Sequence, residues 1–299
     1  MAEIAIFLED DLLRSARAGQ HNFIGLMHKV LTAAGNKVAF LPEADAHGEV
    51  PAHSLVHMGP PLGRHGLTFR RVYHYPFWRI ETTERRWAWD VARARFDPEA
   101  VPSDTAARFR AQWRKRLFSV TEVPPRDPGG HVYIPLQGRL TQHRSFQSMS
   151  PIEMIETVMR LDPGRKVIAT LHPKEVHDRA ERAALEGLLA RHPALSLDDR
   201  PPLQHLAECA HVVTQNSSVA FNGFFFDRPA ILFARIDFHH IALSVPEIGP
   251  DRAFGQVGTH RPDYARYLYW FWQQQSINAG RDDAASQIAR RFRALGWPV

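Results

Sequence analysis

The sequence predicts an α/β protein built from two Rossmann-like, doubly wound halves. Three observations predict it. Short apolar runs of strand type alternate with segments of helical spacing along much of the chain. The opening, Ile4 to Leu41, reads strand, helix, strand. Turn formers then gather at Pro124-Pro-Arg-Asp-Pro-Gly-Gly130, the best linker candidate in the chain. The expected domains are 1–127, 128–261 and a helical tail, 262–299, packing back on the first.

Each element follows from local pattern. Ile4-Ala-Ile-Phe-Leu8 reads as a buried first strand. Phe23, Leu26, Met27, Val30 and Leu31 share one helical face over 21–34, and Gly35-Asn36 supplies the stop before the strand Lys37–Leu41. This βαβ opening implies a right-handed crossover and a parallel sheet. Glu9–Gln20 reads as a charged loop at a site edge. Residues 42–80, rich in Pro, Gly and His, give no clear placement, whereas Glu84–Phe96 and Asp104–Leu117 read as helices.

Past the linker, strands are expected at His131–Leu136, Lys166–Thr170, Ala194–Leu197, His211–Thr214 and Pro229–Phe233. Ser150-Pro-Ile-Glu153 combines an N-cap, a Pro at N1 and an acid at N3, opening a helix through Arg160. Further helices are expected at Val176–Arg191, Pro202–Cys209, Ser218–Phe226, Tyr264–Gln275 and Arg281–Leu295. Tyr267-Leu-Tyr-Trp-Phe-Trp272 is apolar nearly all round, which requires burial.

Composition narrows the function classes. The 44% hydrophobic and 23% charged content is that of a globular chain with material for a core. No apolar run is long enough to span a bilayer, and the N-terminus lacks a basic n-region, so a cytoplasmic protein is expected. The single cysteine, Cys209, forms no internal disulfide, and a buried thiol is favoured over a Cys209–His211 catalytic pair. Net charge is +5 and favours anionic partners such as nucleotide phosphates, acidic glycans or an anionic membrane surface. The arginines are scattered and no nucleic-acid-binding signature is present, so nucleic acid is not an expected partner. Gly-x-Gly-x-x-Gly, P-loop, His-Glu-x-x-His and Gly-x-Ser-x-Gly motifs are all missing, which removes the main support for dehydrogenase, NTPase, zincin and α/β-hydrolase readings.

The chemistry concentrates at expected strand ends. His172, fixed by Pro173 and followed by Lys174, suits donation to a phosphate oxygen or protonation of a leaving group. Gln215-Asn-Ser-Ser218 places Ser217 and Ser218 at a helix start, where free N–H groups favour an anion; the competing reading of the tetrad is a simple N-cap. Gln137-Gly-Arg139, with His143 and Arg144 beyond it, offers an arginine fork for phosphate or carboxylate. Glu9 and Asp10, after the first strand, are the candidate catalytic carboxylates, with Asp237-Phe-His-His240 as a runner-up patch. His172 and His177 have the wrong spacing for a helical metal pair, and no metal is expected.

Pro135-Leu-Gln137, Leu171-His-Pro173, Gln215-Asn-Ser-Ser-Val219 and Tyr267-Leu-Tyr-Trp-Phe271 together resemble the capsule polysaccharide biosynthesis proteins related to bacterial β-Kdo transferases, over roughly residues 130–275. The His-Pro and Ser motifs are also similar to those of bacterial sialyltransferases. The resemblance implies a GT-B glycosyltransferase, with two Rossmann-like domains facing a cleft and a C-terminal helix crossing back. It implies a CMP-Kdo or similar nucleotide-sugar donor, bound by Gln137, Arg139, His172, Pro173, Lys174, Gln215, Asn216, Ser217 and Ser218. The implied partners are a glycan or glycolipid acceptor, with peripheral association at the inner membrane or a capsule assembly complex left open. The family also implies an acidic residue soon after Gln137, yet Gly138-Arg-Leu-Thr-Gln-His143 has none. Glu9, Asp10 or Asp237 would then supply the acid; the alternative is a non-catalytic glycan-binding component of a capsule complex.

Overall fold

A computed structural model describes residues 1–299. The chain forms two compact units, Met1–Ala94 together with Trp270–Val299, and Arg95–Tyr269. No helix is long and apolar enough to cross a membrane. In chain order the first unit contributes β1 (Glu3–Leu8), β2 (Lys37–Pro42), β3 (His53–His57), β4 (Leu67–Arg71) and β5 (Phe77–Glu81). The second holds β6 (Val132–Pro135), β7 (Val167–Thr170), β8 (Leu195–Leu197), β9 (His211–Thr214), β10 (Ala230–Leu232) and β11 (Leu243–Ser244). The chain then returns to the first unit with β12 (Ile277–Asn278).

The first sheet has the order β12-β5-β4-β3-β1-β2. β1 to β4 are mutually parallel, and β5 and β12 each run antiparallel to the neighbour before them. Residues Ile4–Leu8 of β1 are all buried, as a central parallel strand requires. The Asn22–Ala33 helix buries Phe23, Ile24, Met27 and Leu31, and Phe23 stacks on Trp78 with centroids 4.7 Å apart. The last helix, Ala284–Ala294, packs on the same helix and adds Ile288 and Phe292 to this core.

Three strands, β3 to β5, arise from the 42–80 stretch that the local pattern left unplaced. β5 carries Arg79 and Glu81 in a buried position, so it has no clean apolar alternation. These charges are paired inside the unit: Arg79 Nε lies 2.6 Å from Glu81, and Arg291 of the last helix lies 2.8 Å from Glu81 and 2.7 Å from Asp90. Glu9–Gln20 is not a loop, since Asp10–Arg17 is a helix with acids in its first turn and arginines in its last, matching the helix dipole. Glu84–Phe96 is not one helix. It holds only the turns Arg86–Ala88 and Asp90–Arg93, folded back as Trp89 Nε1 donates to the Thr83 carbonyl at 2.8 Å.

The second sheet has the order β11-β10-β9-β6-β7-β8, with every pairing parallel. Counted from β6, this is the 3-2-1-4-5-6 order of doubly wound dinucleotide-binding sheets. The Pro151–Leu161 helix starts with the expected capping box: Ser150 N donates to Glu153 at 2.7 Å and Glu153 N to Ser150 Oγ at 3.3 Å. A second box, Asp178 with Glu181, starts the next helix at Arg179 rather than Val176.

The unit boundary falls at Ala94, not at the Pro/Gly-rich linker. The Ser103–Phe118 helix packs on the Tyr264–Tyr269 helix. Arg110 pairs with Asp227 at 2.7 Å, and Phe118 meets Phe225 and Phe226. Arg228, 1% exposed, donates to the carbonyls of Leu206, Ala207 and Pro124, which holds the linker itself against the second unit. The expected Tyr264–Gln275 helix changes to a π-helical turn at Trp270–Gln274, where the chain passes into the first unit.

Candidate active site

In an open parallel sheet, the crevice lies beyond the C-terminal ends of the two strands at which the order reverses. In the second unit these are β6 and β9. Thr214, the last residue of β9, donates through Oγ1 to the Pro135 carbonyl at 3.0 Å and locks the two ends together. One residue further on stand Gln137 and Asn216, past Leu136 and Gln215, and the Asn216 N–H points at Gln137 Oε1 at 3.5 Å. The crevice is therefore lined by the two motifs that the sequence singled out.

Ser217 is the N-cap of the short Ser218–Gly223 helix, its Oγ accepting from Val219 N at 3.3 Å. Ser218 is exposed and Asn216 half-buried. Gln215 turns inward. It is 2% exposed and its Nε2 donates to the Met149 carbonyl at 3.1 Å, so it props the crevice wall.

β7 lies beside β6 on the side away from β9, and its end carries Leu171-His-Pro-Lys174. His172 and Ser217 thus share one sheet edge two strand spacings apart, roughly 10 Å. His172, Pro173 and Lys174 are all exposed. His172 Nδ1 accepts from Lys174 N at 3.2 Å. In the neutral ring this places the proton on Nε2, which is left as a donor.

Two features were not legible beforehand. Glu175 reaches back over the β6 end, where a Cβ at Gly138 would collide with its carboxylate. Glu175, past the end of β7, thus puts a carboxylate beside the 138–143 loop, which has none of its own. Burial and the charge of Arg139 lower the Arg144 pKa, while Glu175 opposes them, so these three charges act on one another. Arg139 adopts φ +61°, a left-handed turn that directs the loop away from the strand. The second feature is a cavity of about 770 Å³ at the ends of β7 and β8, lined by Thr170, Pro173, Asp198, Asp199 and Arg200 among others. Arg200 Nε donates to Asp198 at 2.7 Å and fixes one wall. The sequence signal for this wall, Asp198-Asp-Arg200 directly after a short strand, was present but unremarkable.

Glu9 and Asp10 lie at the end of β1 in the first unit, both exposed. Asp237 is fully buried, and His239 and His240 stack on each other at 4.4 Å. Burial pushes the Cys209 thiol up to about 12 and the buried His211 down to about 3, so this pair is inert packing.

The two units define an α/β protein whose mostly parallel sheets each present polar residues at the C-terminal edge. The sequence matches no family model and no curated protein. Among solved structures, a KpsC β-Kdo 2,7 transferase of Thermosulfurimonas dismutans is similar at TM-score 0.49 and 10% identity, over 98% of this chain and 99% of that one. The β-Kdo 2,4 transferase of the same organism's KpsC gives TM-score 0.49 and 13% identity, over 89% of each chain. A UDP-GlcNAc 2-epimerase from Neisseria meningitidis gives TM-score 0.37 and 10% identity, over 98% of this chain and 100% of that one.

Proposed function

We propose that the protein is a glycosyltransferase of surface polysaccharide synthesis that uses a nucleotide-activated acidic sugar, CMP-linked as in CMP-Kdo. The observation that carries this reading is the alignment of His172, Lys174, Asn216, Ser217 and Ser218 along one parallel-sheet edge, with a cavity at the β7 and β8 ends on its far side from the Ser motif. The cavity volume of about 770 Å³ suits a nucleoside. In this reading His172 Nε2–H and Lys174 donate to the donor phosphate, and Ser218 and the Asn216 amide side chain take the sugar carboxylate. As the glycosidic bond breaks, negative charge grows on the phosphate, and fixed donors favour that state over the ground state. Glu175, over Gly138, is the carboxylate on the donor side. The basic surface suits an anionic glycan or a lipid-held acceptor.

The test is thermal denaturation with CMP, UDP, GDP and ADP, on the wild type and His172→Ala. A ligand at a hundredfold excess over its Kd stabilises the folded state by about 2.7 kcal/mol. A CMP-selective rise in Tm, lost in the variant, is expected. No rise with any nucleotide, or a rise that survives His172→Ala, overturns the reading.

A further inference from the structure

Two helices of the second unit begin with the same device. In each, an acid at the third helical position turns back to the N-cap: Glu153 to Ser150, and Glu181 to Asp178. Capping satisfies amides at a helix start and needs no burial, and Glu153 is exposed accordingly. Glu181 is 5% exposed. Burying a carboxylate is costly unless its oxygens are hydrogen-bonded, so the cap alone does not account for it. A further partner does. Glu181 Oε2 accepts from Asp178 N at 3.1 Å, while Oε1 accepts from Leu140 N in the loop that follows β6. His177 Nδ1 also lies 3.5 Å from Oε2. Glu153, by contrast, accepts from Ser150 N at its own helix start.

Leu140 is a fixed point. It is fully buried in the core of the second unit, and its carbonyl accepts from Ile152 N at 3.1 Å. The segment 171–176, which carries His172 and Lys174, has no such anchor: every residue in it is exposed. A cavity of about 330 Å³ lies beside it, between Leu140, Leu171, His177 and Leu185. Packing therefore leaves the position of this segment to be set from its two ends. At one end it continues from β7. At the other, Asp178 N reaches Glu181, and Arg182 Nε donates to the His177 carbonyl at 2.9 Å. In between, Glu175 N donates to the His172 carbonyl at 3.0 Å and Lys174 N to the His172 ring at 3.2 Å, so the turn itself holds together.

We propose that Glu181 is a positioning residue of the donor edge. Its buried carboxylate ties the far end of the 171–178 segment to Leu140, and so fixes where His172 and Lys174 stand relative to Gln137 on the neighbouring strand end. A carboxylate suits this place because it accepts amides from two different loops at once, each in a charge-assisted bond. An amide side chain there would offer one acceptor oxygen and turn a donor toward the other N–H. The meaning for catalysis rests on the nucleotide reading of the site; the tethering does not.

The experiment compares Glu181→Ala, Glu181→Gln and Glu153→Ala with the wild type, each as the full chain, by NMR hydrogen exchange and by calorimetry with CMP. Both alanine variants lose a capping box, so both are expected to melt below the wild type. Asp178 N loses its acceptor in Glu181→Ala whatever the role, so the informative amides are Lys174 and Glu175. Their exchange is expected to quicken about tenfold or more in Glu181→Ala, the usual scale for losing a hydrogen bond to a charged group, and to keep the wild-type rate in Glu153→Ala. CMP affinity is expected to fall about tenfold in Glu181→Ala and by less in Glu181→Gln, whose Oε1 can still receive Leu140 N. Should Glu181→Ala not fold, Glu181→Gln carries the same comparison. Wild-type exchange at Lys174 and Glu175 in the Glu181 variants, equal acceleration in Glu153→Ala, or faster exchange with CMP affinity intact overturns the proposal. If the wild type binds no CMP, the nucleotide reading falls, and the Lys174 and Glu175 rates alone decide the tether.

Discussion

The two units place the same topological feature, a sheet switch point, under different chemistry. Across the ends of β7, β6 and β9 the edge carries donors: backbone amides, hydroxyls, an imidazole N–H and a lysine. At β1/β3 it carries the Glu9 carboxylate and the His57 imidazole, the latter kept neutral by burial and nearby arginines. One edge offers hydrogen-bond donors, the other a carboxylate and a ring that resists protonation. The difference shows that sheet topology fixes where a ligand can sit, whereas the few residues beyond each strand end decide what is done there. The units also differ in how charge is used internally. The first buries an ion-pair group around Glu81, and the second buries the lone cation Arg228 against carbonyl oxygens.

The largest expected effect tests that internal contrast. Glu81→Ala leaves Arg79 and Arg291 without their buried partner and should cost about 3–5 kcal/mol in urea unfolding. Arg228→Met removes donors from carbonyls but leaves no charge behind, so its cost should be smaller, about 1–3 kcal/mol. Equal costs would erase the distinction.

Acid stability separates the units next. Burial, then Arg165 and Arg126, lowers His211 to about 3, and burial with Arg70, His21 and Arg71 lowers His57 to about 4. Both rings bind a proton less tightly folded than unfolded, where the value is 6.5. Their contribution is therefore whole above pH 6.5 and is lost as pH falls through about 4 for His57 and about 3 for His211. His211→Leu should flatten this acid limb by about 4–5 kcal/mol, and His57→Asn by about 3 kcal/mol. Denaturation curves collected from pH 7 to pH 3 check both, and a limb unchanged in His211→Leu refutes the assignment.

A smaller effect sharpens the donor edge. Ser217 caps a helix, so Ser217→Ala should cost about 1 kcal/mol of stability. Ser218 makes no cap, so Ser218→Ala should change stability by less than about 0.5 kcal/mol while lowering CMP-Kdo affinity in calorimetry. A Ser218 variant with full affinity removes that hydroxyl from the site. Smallest in stability is Gly138→Ala, because only the flexible end of Glu175 must move. Its Tm should stay near wild type while donor turnover falls as it does in Glu175→Gln, and matched turnover in all three proteins would dismiss Glu175.

Much of this was readable from local pattern. The apolar runs of β1, β2 and β6 to β10, the capping box at Ser150, and the polar motifs after β6, β7 and β9 are each written within a few consecutive residues. β3 to β5 were not, because Arg79 and Glu81 are buried by Arg291 from far along the chain, and no window on β5 contains that partner. The domain boundary was misplaced for a related reason. Prolines and glycines at 124–130 do mark a turn, but Arg228 decides which unit that turn adheres to.

The sequence by itself determined an α/β chain in two halves and the residues at the ends of its parallel strands, since strand and helix periodicity and turn chemistry are properties of adjacent residues. Only the tertiary structure decided that Glu175 supplies the carboxylate beside Gly138, that Gln215 faces inward, and that Glu9 meets His57. Those pairings depend on which strands become neighbours, and strand order is settled by packing across the whole unit rather than by any one segment.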